Sequence, residues 1–141
     1  DIGAPAGTEV YAFADGSIYS FGINDEDGSY GPTIITEHKI SLPVSVGSSQ
    51  QQSPQTIWVL HGHLRSDSLE GLVKGQTFSA GQRLAFIGAE DENGGWPPHL
   101  HLQLSINEPN GYDLPGVVAQ EERLQALKDF PDPRLIIGNV Y

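Results

Sequence analysis

Cysteine and methionine are both absent from the 141 residues. Without cysteine there is no disulfide, no thiolate metal site and no cysteine nucleophile, so any metal must be held by His, Asp or Glu. Without methionine there is no Met-Lys-Met signal of a biotinyl or lipoyl carrier. Basic residues are scarce too: 7 Lys and Arg stand against 18 Asp and Glu, a formal charge of -11. Nucleic acids and anionic membrane surfaces attract basic patches, so this balance argues against both as partners. No apolar run approaches the ~20 residues a membrane span needs, which excludes membrane insertion by a helix, and no signal-peptide pattern is visible. The missing cysteines suit a cytoplasmic and a bacterial envelope protein equally.

The chain does have 17 glycines and 10 prolines with only 18% charged residues. That composition favours many short strands joined by tight turns, hence a mainly β domain. Its 38% hydrophobic content and its length suffice for a single core.

The most regular stretch is Trp96–Ile106. From His99 onward, His99, His101, Gln103 and Ser105 share one parity and Leu100, Leu102, Leu104 and Ile106 the other. This is the period-two pattern of a half-buried strand, with both imidazoles leaving one face and the leucines entering a core. Upstream, Asp1–Val10 reads as a strand end, a Pro-Ala-Gly-Thr turn and a new strand. Asp15-Gly16 reads as a hairpin turn between Tyr11–Ala14 and Ser17–Phe21. Asn24–Gly31 is a solvated acidic loop, Thr33–His38 a short β-branched strand, and the uncharged polar run 47–55 a hairpin loop. Thr56–Leu64 is a strand with Ile57, Val59, His61 and His63 on one parity. Lys74-Gly75-Gln76 and Ala80-Gly81-Gln82 are two copies of one turn, each glycine supplying a positive φ. Beyond Asn107, Leu124, Leu127 and Phe130 recur at helical spacing, acids come early and Lys128 late, so a single helix within Val117–Phe130 is expected, stopped by Pro131. An extended tail should follow. The chain accordingly divides into a β domain over 1–110 and a helix with tail or linker over 111–141.

Four of the five histidines form two His-x-His pairs, His61 with His63 and His99 with His101. A lone histidine is more often a satisfied structural residue than a ligand, and His38 is read that way. The pairs point instead to metal binding or proton transfer, because imidazoles with a carboxylate make a catalytic zinc shell. Spacing alone does not divide those roles.

From Asp1 to about Ser105 the chain resembles the M23 zinc metallopeptidases, the lysostaphin- or LytM-like group. The likeness is carried by the opening Asp-Ile-x-Ala-Pro-x-Gly-Thr-x-Val, by Ala14-Asp15-Gly16 and by Gly62-His63-Leu64. Gly75-Gln76, Gly81-Gln82 and His99-Leu100-His101-Leu102 complete it. The resemblance implies a compact antiparallel β-sandwich or barrel-sandwich hybrid, a duplicated hybrid motif, with a groove. It implies zinc held by Asp1 and His101, with His63 and His99 as the histidines that assist catalysis. It also implies a peptide substrate, glycine-rich or drawn from peptidoglycan cross-links. The first ligand of such a site, a histidine four residues before the aspartate, would fall upstream of Asp1. Two positions depart from the pattern: His61 stands where tyrosine is usual, and Leu102-Gln103 where Phe-Glu commonly follows the pair.

Glu92–His101, with Leu114-Pro115-Gly116-Val117 and Pro131-Asp132-Pro133, resembles more narrowly the M23-type middle domain of bacterial fusions. Those join a kinase-like phosphotransferase domain to a class III, PLP-dependent aminotransferase. This implies covalently linked neighbouring domains and a cytoplasmic setting, whereas an ordinary member of the group would work in the cell envelope. The alternative to an endopeptidase is a non-enzymatic metal-binding or regulatory module in a larger enzyme. Fold analogy adds one more reading, a phosphotransferase domain with phosphate carried on His63 or His99.

Overall fold

A computed structural model of the chain describes residues 1–138. Eight strands form in order: β1 (Ile2–Gly3), β2 (Glu9–Tyr11), β3 (Gly16–Asn24), β4 (Gly31–Ile40), β5 (Gln55–Gly62), β6 (Thr77–Phe78), β7 (Arg83–Phe86) and β8 (His99–Ser105). Six build one antiparallel sheet in the order β1-β8-β5-β4-β3-β6, and β2 and β7 pair in a second, two-stranded sheet. The fold is mainly β, as composition and turn chemistry predicted, and antiparallel, as the resemblance implied; among the described residues α-helix is confined to the C-terminal part, and a 3-10 turn, Ser66–Leu69, follows β5. No helix among the described residues is long and apolar enough to cross a membrane.

Period-two alternation decides what each face of the main sheet meets. One face presents Ile34, Ile57, Val59, Leu100, Leu102 and Leu104 to Val10 and Ala85 of the small sheet, and this is the principal core. The other face carries Ile35 and Leu60, covered by Leu114 and Phe130 of the C-terminal segment. His99, His101 and Gln103 leave β8 on that second face, since Gln103 lies opposite Leu60 in register.

The two glycine turns fold identically. In each, the glycine has positive φ, 82° at Gly75 and 78° at Gly81. The Gly75 N–H donates to Ile18 O (2.7 Å) and that of Gly81 to Ala12 O (2.8 Å). The following glutamine closes its own turn, Gln76 Oε1 accepting from Val73 N–H (3.2 Å) and Gln82 Oε1 from Ser79 N–H (3.3 Å). The repeat seen in the sequence is therefore a repeated corner.

Asp15-Gly16 is not a simple hairpin. β2 pairs with β7, some 70 residues on, while β3 pairs with β4 and β6, so Ala12–Asp15 carries the chain from one sheet to the other. Gly16 is required there for a different reason than turn formation. A Cβ on it would sit 2.6 Å from the Glu37 carbonyl oxygen and 2.7 Å from His38 Nδ1. His38, buried on β4, bonds Asp15 O through Nδ1 (2.9 Å) and Thr36 Oγ1 through Nε2 (2.9 Å), in keeping with its structural reading. Gly16→Ala is therefore expected to lower stability by about 1–3 kcal/mol through overpacking. Gly3→Ala, with nothing within 4 Å of the added carbon, should be near neutral in the same thermal-denaturation measurement.

The C-terminal part differs from expectation in two respects. The helix is shorter, α1 (Arg123–Asp129), and Leu124 and Leu127 are exposed at 74% and 57% while Phe130 packs inward. Residues 134–137, expected to be extended, form a helical turn, α2 (Arg134–Ile137), whose Leu135, Ile136 and Ile137 pack against the core. Asp132 starts that turn, accepting from the Arg134 backbone N–H at 2.9 Å. The last residues of the expected tail, 139–141, lie outside the described residues.

Candidate active site

Asp1, His63, His99 and His101 meet in one cleft of about 510 Å³ on the face of the main sheet opposite the principal core. His99 and His101 arrive on β8, while β1 pairs with His99 and Leu100 and so brings Asp1 alongside them. The Asp1 Oδ1 lies 2.8 Å from His101 Nδ1 and 3.7 Å from His99 Nε2.

His63 reaches the cleft by breaking the alternation of its strand. β5 ends at Gly62, and His63 takes φ +59°, the only positive φ at a non-glycine among the described residues. A left-handed conformation costs a non-glycine residue about 1–2 kcal/mol, so it persists only where the surroundings fix it. Here three bonds do so: His63 N–H donates to Tyr30 O (2.7 Å), Gly88 N–H donates to His63 O (2.9 Å), and His63 Nδ1–H donates to Asn93 O (2.7 Å). The ring thereby comes within 4.3 Å of that of His99, centroid to centroid and tilted by 46°. His61 keeps the parity and points the other way, fully buried in the core with Nδ1 3.3 Å from Ile34 O. The two His-x-His pairs are thus unequal, and His61 takes no part in the cleft.

The hydrogen bonds fix the proton on each imidazole, because backbone carbonyls only accept. His63 gives Nδ1–H to Asn93 O, and His99 gives Nδ1–H to Pro97 O at 2.7 Å, which leaves both Nε2 lone pairs free. Gln103 sets His101 the opposite way. Its amide nitrogen donates to Pro115 O (3.1 Å), so Oε1 accepts from His101 Nε2 (3.1 Å) and from the Tyr30 hydroxyl (3.4 Å). The Nδ1 lone pair of His101 then faces the Asp1 carboxylate. Burial is the main influence lowering the affinity of both His63 and His101 for a second proton.

Several groups that hold the site were not singled out from sequence. Asn93 is wholly buried in the loop before β8; its side chain donates to Trp96 O (2.8 Å) and accepts from Trp96 N–H (2.9 Å). That pair of hydrogen bonds fixes the loop whose carbonyl orients His63. Tyr30 stacks on His101 with centroids 4.7 Å apart, fits because Gly62 beneath it has no side chain, and has its hydroxyl pushed up to about 12, chiefly by burial. Gln103 had shown itself in the sequence, as a departure from Phe-Glu. The acidic loop after β3, read as a surface turn, supplies Glu26, Asp27, Gly28, Ser29 and Tyr30 as one wall of the cleft.

Together these features define a class: an antiparallel β domain with glycine-turn corners and a cleft of histidines and carboxylates. The family model for peptidase family M23 matches residues 1–112, and the chain belongs to that family. Among solved structures it is similar to the catalytic domain of a point mutant of the prophage-encoded M23 protein EnpA from Enterococcus faecalis. That likeness has a TM-score of 0.50 and 21% identity, covering 78% of this chain and 68% of the other. It speaks to the fold alone. No curated protein matches the chain in the corresponding comparison.

Proposed function

We propose that this domain is a zinc-dependent endopeptidase acting on glycine-rich or peptidoglycan cross-link peptides. One observation carries the reading: the carboxylate oxygen of Asp1 lies 2.8 Å from His101 Nδ1, the nitrogen left to bear the lone pair when Nε2 donates to Gln103. Two acceptors so placed need a proton or a cation between them, and carboxylate oxygen with imidazole nitrogen is a donor set that zinc takes. Gln103 supports it, as an outer-shell acceptor that holds His101 in its ligating tautomer. Zinc bound there supplies a Lewis acid for the scissile carbonyl and lowers the pKa of the attacking water.

The remaining chemistry belongs to the chain's own residues. His63, its Nδ1–H committed to Asn93, takes a proton through Nε2 and returns it to the leaving amine. His99, its Nδ1–H committed to Pro97, works beside it within reach of Asp1. The buried His63 ring favours the neutral base that this role needs.

The described residues contain no group of three His, Asp or Glu side chains placed to hold a metal. A second reading, a non-catalytic metal-binding or regulatory module, is supported by the positions that depart from the family pattern, His61 and Leu102-Gln103, and by the acidic balance of the chain. In the endopeptidase reading the third ligand is the histidine expected four positions before Asp1. A protein extended upstream through that position separates the two. It should bind one equivalent of zinc by calorimetry and cleave pentaglycine or cross-link peptides by mass spectrometry. Zinc binding without cleavage of any peptide in such a panel would leave the metal-binding module, and no zinc binding would sink the endopeptidase and leave only a regulatory module.

A further inference from the structure

We infer that Gln103 is a positioning residue that makes the zinc-ready state of His101 depend on the C-terminal residues 113–117. This rests on the metal position proposed above, Asp1 with His101, and adds to it a segment that lies beyond the residues the family model matches, 1–112. The Gln103 amide has three polar neighbours: Pro115 O at 3.1 Å from its nitrogen, and His101 Nε2 (3.1 Å) and the Tyr30 hydroxyl (3.4 Å) at its oxygen. An imidazole and a hydroxyl can each donate or accept, so neither decides which way round the amide sits. A carbonyl only accepts. Pro115 O is therefore the group that draws the amide nitrogen to the segment and leaves the oxygen for His101. Turned end for end, the amide would donate to His101 Nε2, and the imidazole proton would move to Nδ1, where the metal would bind.

The segment is anchored at one end and open at the other. Leu114 is buried with Ile35 and Leu60, and the Tyr112 ring lies over Gly22, where a Cβ would stand 2.6 Å from it. Pro115 and Gly116 are exposed, Val117 is 91% exposed, and residues 113–117 make no backbone–backbone hydrogen bond among the described residues. Gly116 is fitted to the Tyr30 hydroxyl, since a Cβ there would lie 2.6 Å from that oxygen. The Tyr30 ring is held between Gly62 and His101, so a methyl group on Gly116 displaces the exposed segment and, with it, the Pro115 carbonyl. A glutamate in place of Gln103 would need no such partner, because both carboxylate oxygens accept. The amide is what makes the proton on His101 conditional.

The test uses the protein extended upstream through the expected histidine. Long-range proton–nitrogen NMR of the metal-free protein at neutral pH reads which ring nitrogen of His101 bears the proton, and calorimetry reads zinc affinity. In the unsubstituted protein Nε2 is expected to be protonated. In Gly116→Ala a large fraction should lose that proton, and zinc should bind about 10–100-fold more weakly, the usual effect of disturbing an outer-shell partner. Gln103→Glu combined with Gly116→Ala should return the proton to Nε2 and zinc binding to that of Gln103→Glu alone, which also shows that Gly116→Ala left the domain folded. A proton that stays on Nε2 in Gly116→Ala, a zinc affinity that it leaves unchanged, or a double variant as impaired as Gly116→Ala would overturn the coupling and leave the peptidase reading standing. Absence of zinc binding by the unsubstituted protein, with the proton shift intact, removes the metal reading and keeps the coupling.

Discussion

Alanine at His63 is expected to slow peptide cleavage by about 10²–10⁴-fold, the usual contribution of a general acid–base, while leaving zinc affinity essentially unchanged. Alanine at His101 should abolish both. The contrast follows from which nitrogen each ring leaves free. His101 spends Nε2 on Gln103 and turns Nδ1 to the Asp1 carboxylate, so its loss removes a donor from the metal position. His63 spends Nδ1 on the Asn93 carbonyl and keeps Nε2 for the cleft, and no carboxylate is bonded to it. In the proposed mechanism its removal deletes a proton carrier and no ligand. Zinc titration by calorimetry and turnover of a cleavable peptide, measured on the same preparations, check the pair. If His63→Ala and His101→Ala lost zinc equally, the division of roles would be wrong.

How much of this was legible in the sequence depended on whether the cause was local. The alternation of β8 is local, and it put His99 and His101 on one face with Leu100, Leu102 and Leu104 in the core. The paired Gly-Gln turns are local as well, because positive φ and a glutamine reaching back three residues need no distant partner. Asp15-Gly16 has hairpin chemistry, but the partner of β2 comes from far along the chain, and turn composition carries no information about that choice. The periodicity of β5 put His63 with His61, and it failed where the strand stopped: the left-handed His63 is imposed by Tyr30, Gly88 and Asn93 from three other segments. Leu124 and Leu127 have helical spacing and do mark a helix, yet spacing does not say what covers a face, and these two face solvent. The acidic loop was read from its polarity, which describes its solvated side and not the wall it gives to the cleft.

Acidification from pH 6.5 to about 4 is expected to destabilise the domain by about 3 kcal/mol through His61 alone. This ring is wholly enclosed between the sheets. Burial, reinforced by the nearby His38, lowers its pKa from the ordinary 6.5 to about 4. Above 6.5 it is neutral in both folded and unfolded chains and makes no difference. Below that pH the unfolded chain takes up a proton that the folded one refuses, so stability falls by about 1.4 kcal/mol per pH unit, until the folded ring protonates near 4. The loss therefore accumulates as pH falls and is complete below both values. His38 is buried as well and shifted in the same direction, so it deepens the decline. His61→Phe, similar in volume and unable to titrate, gives up only a long 3.3 Å bond to Ile34 O and should flatten the slope by close to one proton. Urea unfolding of both proteins at half-unit steps between pH 4 and 7.5 measures that difference. Parallel slopes would mean that His61 is hydrated and protonated in the folded domain, contrary to its position in the core.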